Sequence, residues 1–170
     1  MSKTAIIYSF NSNKTARAAE KIIEVLGKDK VQAVNAEEIT PEEFLSYDNL
    51  ILGVPTWFDG ELPNYWDEFV PAMKELDMKG KTIAIFGLGD QEGYPENFAD
   101  GIGTIGRLLR NRGAKLTGYT KTDKYEFESS AAIEDGKFMG LVLDQENQAR
   151  LSKDRIEKWV AAIKQEMSLA

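Results

Sequence analysis

Ala5-Ile6-Ile7-Tyr8-Ser9-Phe10-Asn11-Ser12-Asn13-Lys14-Thr15 begins apolar, turns polar at Ser9 and leads into a helical pattern. The first four residues read as a buried strand. From Ala16 to Leu26 apolar residues recur at helical spacing (Ala18, Ala19, Ile22, Ile23, Leu26), with Gly27 placed to cap the helix. The loop between strand and helix offers the hydroxyls of Ser9, Ser12 and Thr15 and a row of backbone amides. Unpaired amides and the helix dipole both favour negative charge, so this loop reads either as an anion site or as an ordinary helix cap.

Outward from this unit, short apolar runs alternate with amphipathic stretches to the end of the chain, the pattern of βαβ units. Val31 to Val34 is a weaker second strand. Leu50-Ile51-Leu52-Gly53-Val54 and Ile83-Ala84-Ile85-Phe86 are the most apolar runs and belong at the centre of a parallel sheet. Helices are expected over Pro63 to Lys74 and Asn97 to Arg112, the latter stopped by Gly113. A fifth strand begins near Leu116. A last helix follows Ser152 as N-cap and carries Ile156, Trp159, Val160, Ile163 and Met167 on one face. Thr120 to Lys137 is polar and breaks the rhythm before Gly140-Leu141-Val142-Leu143 reads as strand again, which makes it an insertion interrupting strand 5. The expectation is one α/β domain over residues 1–170, with five strands and about five helices.

The 170 residues contain no cysteine and no histidine, so disulfides, thiolate metal sites, cysteine nucleophiles and a Ser-His-Asp triad are all excluded. With 28 acids against 21 bases the net charge is −7, which disfavours nucleic acid and favours basic partners. No apolar run at the N-terminus is long enough for a signal peptide or membrane span, so a cytoplasmic protein without membrane contact is expected.

Two further loops follow the central strands. Val54-Pro55-Thr56-Trp57-Phe58-Asp59-Gly60-Glu61 and Gly87-Leu88-Gly89-Asp90-Gln91-Glu92-Gly93-Tyr94 each combine glycine, acids and a large ring. In a doubly wound sheet of order 2-1-3-4-5, the loops after strands 1, 3 and 4 converge at the switch point where ligands bind. Two rings arriving there would flank a flat molecule. Gly101-Ile102-Gly103-Thr104-Ile105-Gly106 fits a dinucleotide fingerprint in letters only, because it lies inside a helical pattern. Asn13-Lys14-Thr15 lacks the glycines of a P-loop. A receiver domain needs an acid pair after strand 1 and a phosphorylatable Asp after strand 3. Those places read Tyr8-Ser9-Phe10 and Val54-Pro55-Thr56.

Gly89-Asp90-Gln91-Glu92-Gly93-Tyr94 with Glu96-Asn97-Phe98, Pro55-Thr56-Trp57 with Gly60-Glu61-Leu62, and Asp123-Lys124-Tyr125-Glu126-Phe127 through Gly136-Lys137-Phe138 resemble the long-chain flavodoxins. Gly140-Leu141-Val142-Leu143-Asp144 with Asn147-Gln148 continues the resemblance, which covers essentially the whole chain. It implies a three-layer, doubly wound, flavodoxin-like sandwich whose parallel sheet has the order 2-1-3-4-5 with strand 5 interrupted. It implies FMN as cofactor and a monomeric, low-potential one-electron carrier, not an enzyme, serving a basic reductase and basic acceptor proteins. Carried over residue by residue, Ser9, Phe10, Asn11, Ser12, Asn13, Lys14 and Thr15 would surround the phosphate. Trp57 and Tyr94 would flank the isoalloxazine, with Pro55, Thr56, Phe58, Asp59 and Gly60 beside Trp57. Leu88, Gly89 and Asp90 would meet the pyrimidine edge through backbone groups, and Asn97 and Glu146 the ring rim and ribityl chain.

The chain departs from the family's T-x-T-G-x-T phosphate loop. Phe10 stands at the first Thr, Ser12 at the second and Asn13 at the Gly, and only Thr15 is kept. Losing one hydrogen bond to a charged group costs roughly 1.5–3 kcal/mol, or about 10- to 150-fold in affinity. Ser9 offers a partial replacement, and Asn13 tolerates the left-handed backbone open to the glycine it replaces. The expectation is weaker FMN binding or a rearranged loop. The resemblance also implies that the Phe58–Asp59 peptide turns over on one-electron reduction. Neither residue is Gly, so strain is expected in the turned-over state. Two alternatives stay open at this point. One is a flavodoxin-fold binding partner with weak or no FMN binding, the other an FMN-dependent quinone reductase.

Overall fold

In the computed structural model, which describes residues 3–169, five parallel strands run in the order β2-β1-β3-β4-β5. They are β1 (Thr4–Tyr8), β2 (Gln32–Asn35), β3 (Asn49–Gly53), β4 (Thr82–Leu88) and β5 (Lys115–Thr117). Every residue of β1 and β3 is buried. Strands covered on both faces carry continuous apolar runs rather than alternation, which is why these segments are so plain in the sequence.

The strand positions agree with the sequence reading to within a residue or two, and the order is the expected one. The place beside β4 is shared by two pieces. β5 pairs with its first half (Thr82↔Lys115, Ala84↔Thr117) and β9 (Leu141–Leu143) with its second (Phe86↔Leu141, Leu88↔Leu143). Between them β6 (Thr120–Lys121), β7 (Ile133–Glu134) and β8 (Lys137–Phe138) form a small antiparallel sheet of order β6-β8-β7.

Among the described residues the α-helices are α1 (Lys14–Leu26), α2 (Pro41–Leu45), α3 (Asn64–Met73), α4 (Asp100–Asn111) and α5 (Ser152–Glu166). Trp66, Phe69 and Met73 of α3 and Ile102, Ile105 and Leu109 of α4 pack with Ile7, Leu50, Leu52, Ile83 and Ile85 on one face of the sheet. Ala18, Ala19 and Ile22 of α1 and Ile156, Trp159 and Ile163 of α5 pack with Ile6, Ile51, Ala84 and Phe86 on the other. Each of the larger apolar side chains among these, when fully buried, stabilises by roughly 1.5–3 kcal/mol before chain entropy is counted.

Ser152 does not cap α5. It is the first helical residue, Leu151 holds the cap position, and the Ser152 hydroxyl donates to the Gln145 side chain instead. The short 3-10 turn Ala149–Leu151 feeds the chain straight into α5, so no extended capping residue is needed. The Gly-x-Gly run lies inside α4, where it serves close packing. A Cβ on Gly103 would fall 2.0 Å from the Ala131 carbonyl oxygen.

Candidate functional site

The loops leaving β1, β3 and β4 meet at the C-terminal edge of the sheet, joined by the loop after β9. Among the described residues the exposed large apolar side chains are Phe10, Trp57, Phe58 and Tyr94, all on the first three loops. Two cavities lie between them. The larger, about 650 Å³, is lined by Ser9, Asn11, Ser12, Asn13, Lys14, Thr15, Pro55, Trp57 and Leu88, with Glu37, Asn64, Tyr65 and Glu68 closing its far side. The smaller, about 190 Å³, is lined by Lys14, Pro55, Thr56, Phe58, Leu88, Gly89, Asp90, Tyr94, Asn97 and Glu146, with Phe98, Ala99 and Gln145. They meet at Lys14, Pro55 and Leu88. Phe10, Asp59 and Gly60 line neither.

The loop after β1 is built around Ser9. The Ser12 hydroxyl donates to the Ser9 carbonyl (2.6 Å) and the Asn11 amide to the Ser9 hydroxyl (3.3 Å). Asn13 precedes α1 at φ −90°, a right-handed conformation, and makes no side-chain cap bond. Its tolerance of the left-handed region is therefore not called on. The first amides of α1 have no carbonyl one turn earlier to receive them. The ladder closes where the Arg17 amide reaches the Asn13 carbonyl at 3.2 Å. Phe10 turns out of the loop onto Tyr8, with ring centroids 5.0 Å apart.

Two elements beyond the loop reach into it. Glu37, on the 3-10 turn Ala36–Glu38 after β2, accepts from the Ser9 hydroxyl at 2.7 Å and from the Asn11 side-chain amide at 2.8 Å. These two bonds, the serine's first, hold its carboxyl below the usual carboxylate range. Lys14 crosses to Glu146 as an ion pair.

The loop after β3 makes a tight turn. Trp57 and Glu61 exchange backbone hydrogen bonds at 2.8 Å each, and the Gly60 amide donates to the Phe58 carbonyl at 2.6 Å. Phe58 sits at φ +41° and Gly60 at +84°. The left-handed backbone thus already falls on a non-glycine residue. Trp57 stands edge-on to Tyr65, centroids 6.4 Å apart. The Tyr65 hydroxyl is buried with no partner, and burial, then the Glu37 charge, pushes its pKa up. Thr56 spends its hydroxyl on the Gly101 amide at the start of α4 (2.8 Å).

The loop after β4 is tied down along its length. The Gly89 amide donates to the Leu143 carbonyl at 3.0 Å and is thereby committed within the fold. Asp144, fully buried, accepts from the Gln91 amide (3.0 Å), the Gln91 side chain (2.7 Å) and the Asn147 amide (3.0 Å). Asp90 accepts from the Gly93 amide and the Asn147 side chain, both at 2.8 Å. The Gly93 bond above all keeps its carboxyl below the usual range against partial desolvation.

The segment between β5 and β9 backs this loop. Glu128 and Ser129 donate to the Pro95 carbonyl, and Phe98 stacks on Phe127 at 5.1 Å and meets Tyr125 and Phe138 within 6.0 Å. Arg110 fastens the same segment to α4 through both oxygens of Glu134, at 2.5 and 2.6 Å.

Sequence reading missed Glu37, Tyr65 and Gln145. A strand-2 loop must lie beside the strand-1 loop at the same sheet edge, and that adjacency was the available signal for Glu37.

The Flavodoxin family model matches residues 6–159. The chain is 39% identical over 170 residues to flavodoxin 1 of Escherichia coli strain K12, covering 99% of this chain and 97% of that one. It is 40% identical over 167 residues to a flavodoxin of Nostoc sp. strain PCC 7120, covering 98% of each. The crystal structure of Fusobacterium nucleatum flavodoxin bound to flavin mononucleotide superposes with a TM-score of 0.92 at 35% identity, covering 98% of this chain and 99% of that one. Matched along nearly its whole length by the family model, by relatives and by fold, the chain belongs to the flavodoxin family.

Proposed function

We propose that this chain is an FMN-dependent carrier that passes electrons one at a time between redox proteins. The observation that carries this reading is the placement of Trp57 and Tyr94. They line two cavities that join at Lys14, directly beside the N-terminus of α1. The groups present suit a phosphorylated aromatic ligand. Open amides and Lys14 offer positive charge at one end, exposed rings stand at the other, and the unpartnered Tyr65 hydroxyl lies in the wall between Glu37 and Trp57. When bound, the flavin supplies the redox chemistry, and the protein orients it and sets its potentials.

In this reading the amides opening α1, with Lys14 and Thr15, hold the phosphate. Trp57 and Tyr94 cover the ring, and Pro55 and Leu88 support it where the cavities meet. Glu146 is engaged by Lys14 and thereby ties the phosphate loop to the loop after β9. Phe10, Asp59 and Gly60 stay outside the contact set. Asp59, Glu61, Glu92 and Glu96 are exposed around the rings. Their charge opposes further negative charge on the ligand and steers basic reductase and acceptor proteins to this edge. Among the described residues no helix is long and apolar enough to cross a membrane.

Reconstitution with FMN tests the reading. Bound flavin fluorescence should be strongly quenched, and potentiometric reduction should proceed in two separated one-electron steps. The lower potential should rise with added salt as the surrounding acids are screened. Unquenched flavin, a single two-electron step, or steady NAD(P)H oxidation by the protein alone would overturn it.

A further inference from the structure

The loop assigned to the phosphate already holds an anion. Glu37 takes two of its side-chain donors with one carboxylate oxygen, Ser9 at 2.7 Å and Asn11 at 2.8 Å. Asn35, at the end of β2, takes a third donor, the Phe10 amide, at 3.2 Å, and receives the Glu37 amide at the same distance. Ser12 turns its hydroxyl inward to the Ser9 carbonyl. Donors that a phosphate loop would direct into the cavity are therefore committed to the β2 side of it or, for Ser12, within the loop itself. The Glu37 carboxylate also lines the same cavity as the opening residues of α1.

Two anions cannot share these donors without cost. A phosphate seated on α1 would share its cavity with the Glu37 charge, and Lys14, among the described residues the one cation lining that cavity, is itself paired to Glu146. Like charges at that range oppose binding even when partly screened. Riboflavin carries no phosphate and meets no such opposition.

We propose that Glu37 is a specificity-determining residue that weakens the chain's preference for FMN over riboflavin, by competing with the phosphate for Ser9 and Asn11. The inference rests on the flavin reading above and deepens it. The altered loop sequence matters less for the missing threonine at Phe10 than for the carboxylate that takes Ser9 and Asn11.

The test compares wild-type apoprotein with Glu37→Gln and Glu37→Ala. Dissociation constants for FMN and riboflavin are read by flavin fluorescence at one pH and ionic strength. Thermal midpoints are read with and without inorganic phosphate. FMN should bind about tenfold more tightly to both variants, while riboflavin changes less than about twofold, so that the ratio of the two constants shifts about tenfold. Phosphate should raise the midpoint of the variants more than that of the wild type.

An unchanged ratio overturns the proposal. So does a weakening of FMN in both variants, which would make Glu37 a brace that positions Ser9 and Asn11. If none of the three proteins binds either flavin, the flavin reading fails instead, and the phosphate-dependent midpoints still decide what Glu37 does.

Discussion

The two ends of the site are held by different kinds of bond. The ring-side loop, from Asp90 to Ala99, is anchored from beneath. Asp144 is fully buried under it, Phe98 is fully buried within an aromatic cluster, and the segment between β5 and β9 is pinned to it through Pro95. The phosphate-side loop, from Ser9 to Lys14, is held from beside, by the exposed carboxylate of Glu37 and an exposed ion pair from Lys14 to Glu146. Buried bonds are costly to break and exposed ones cheap, because water replaces the lost partner. In the proposed reading the chain therefore presents a preformed ring site and an adjustable phosphate site.

Breaking the anchored end should cost most. Phe98→Ala removes a fully buried ring in contact with Tyr125, Phe127 and Phe138. The expected loss is about 3–5 kcal/mol, read by urea unfolding, with FMN and riboflavin affinities falling together. A loss below about 1 kcal/mol would erase the contrast between the two ends. Asp144→Ala comes next. It strands the buried Gln91 donors and frees the half-buried Asn147 ones, at roughly 1–3 kcal/mol. It should weaken riboflavin as much as FMN, because the phosphate end is untouched.

The same difference governs what could be read from the sequence. The ring-side loop was legible because its parts are contiguous. Gly89 to Tyr94 carries its ring and its turn residues in one stretch, and the apolar strand before it fixes where it emerges. The split edge strand was legible too, since a polar run between Leu116 and Leu141 has to leave the sheet. The phosphate side was only half legible. Ser9 to Thr15 announced an anion site, but its present partner comes from residue 37, across a parallel pairing in which Tyr8 lies opposite Asn35. Nothing local to Glu37 marks it. Asp144 and Gln91 hid for the same reason, 53 residues apart in sequence. Ser152 was misread because a 3-10 turn leading directly into a helix removes the need for the cap that its residue type suggested.

A smaller effect concerns the brace behind the ring-side loop. Arg110, and less strongly the Tyr119 hydroxyl, hold Glu134 at a pKa of about 2, below its ordinary 4.5. A carboxyl lowered on folding contributes stability that is complete above its unfolded pKa and is lost as the pH falls through the folded one. Glu134→Gln should therefore lower the unfolding midpoint by a constant amount from neutral pH down to about 4.5. The gap to wild type should close as the pH approaches about 2. A gap that persists unchanged at the acid end would mean that packing, not charge, fastens this segment to α4.

A further effect separates backbone from side chain at Phe58, on the loop after β3, between the anchored end and the adjustable one. Its ring is 67% exposed, so truncation removes little buried surface. Its backbone, at φ +41°, is a conformation that a Cβ penalises by roughly 1–2 kcal/mol. Glycine relieves that penalty but adds freedom to the unfolded chain worth about 0.4–1 kcal/mol. Phe58→Gly should thus match wild type or exceed it by up to about 1 kcal/mol. Phe58→Ala keeps the penalty and loses the ring, and should be the less stable of the pair by about 0.5 kcal/mol. At an ordinary right-handed position the order is reversed, alanine above glycine. Denaturant unfolding of the two variants side by side decides the matter. Alanine proving the more stable would place Phe58 in a right-handed turn in solution and would remove the strain from this loop.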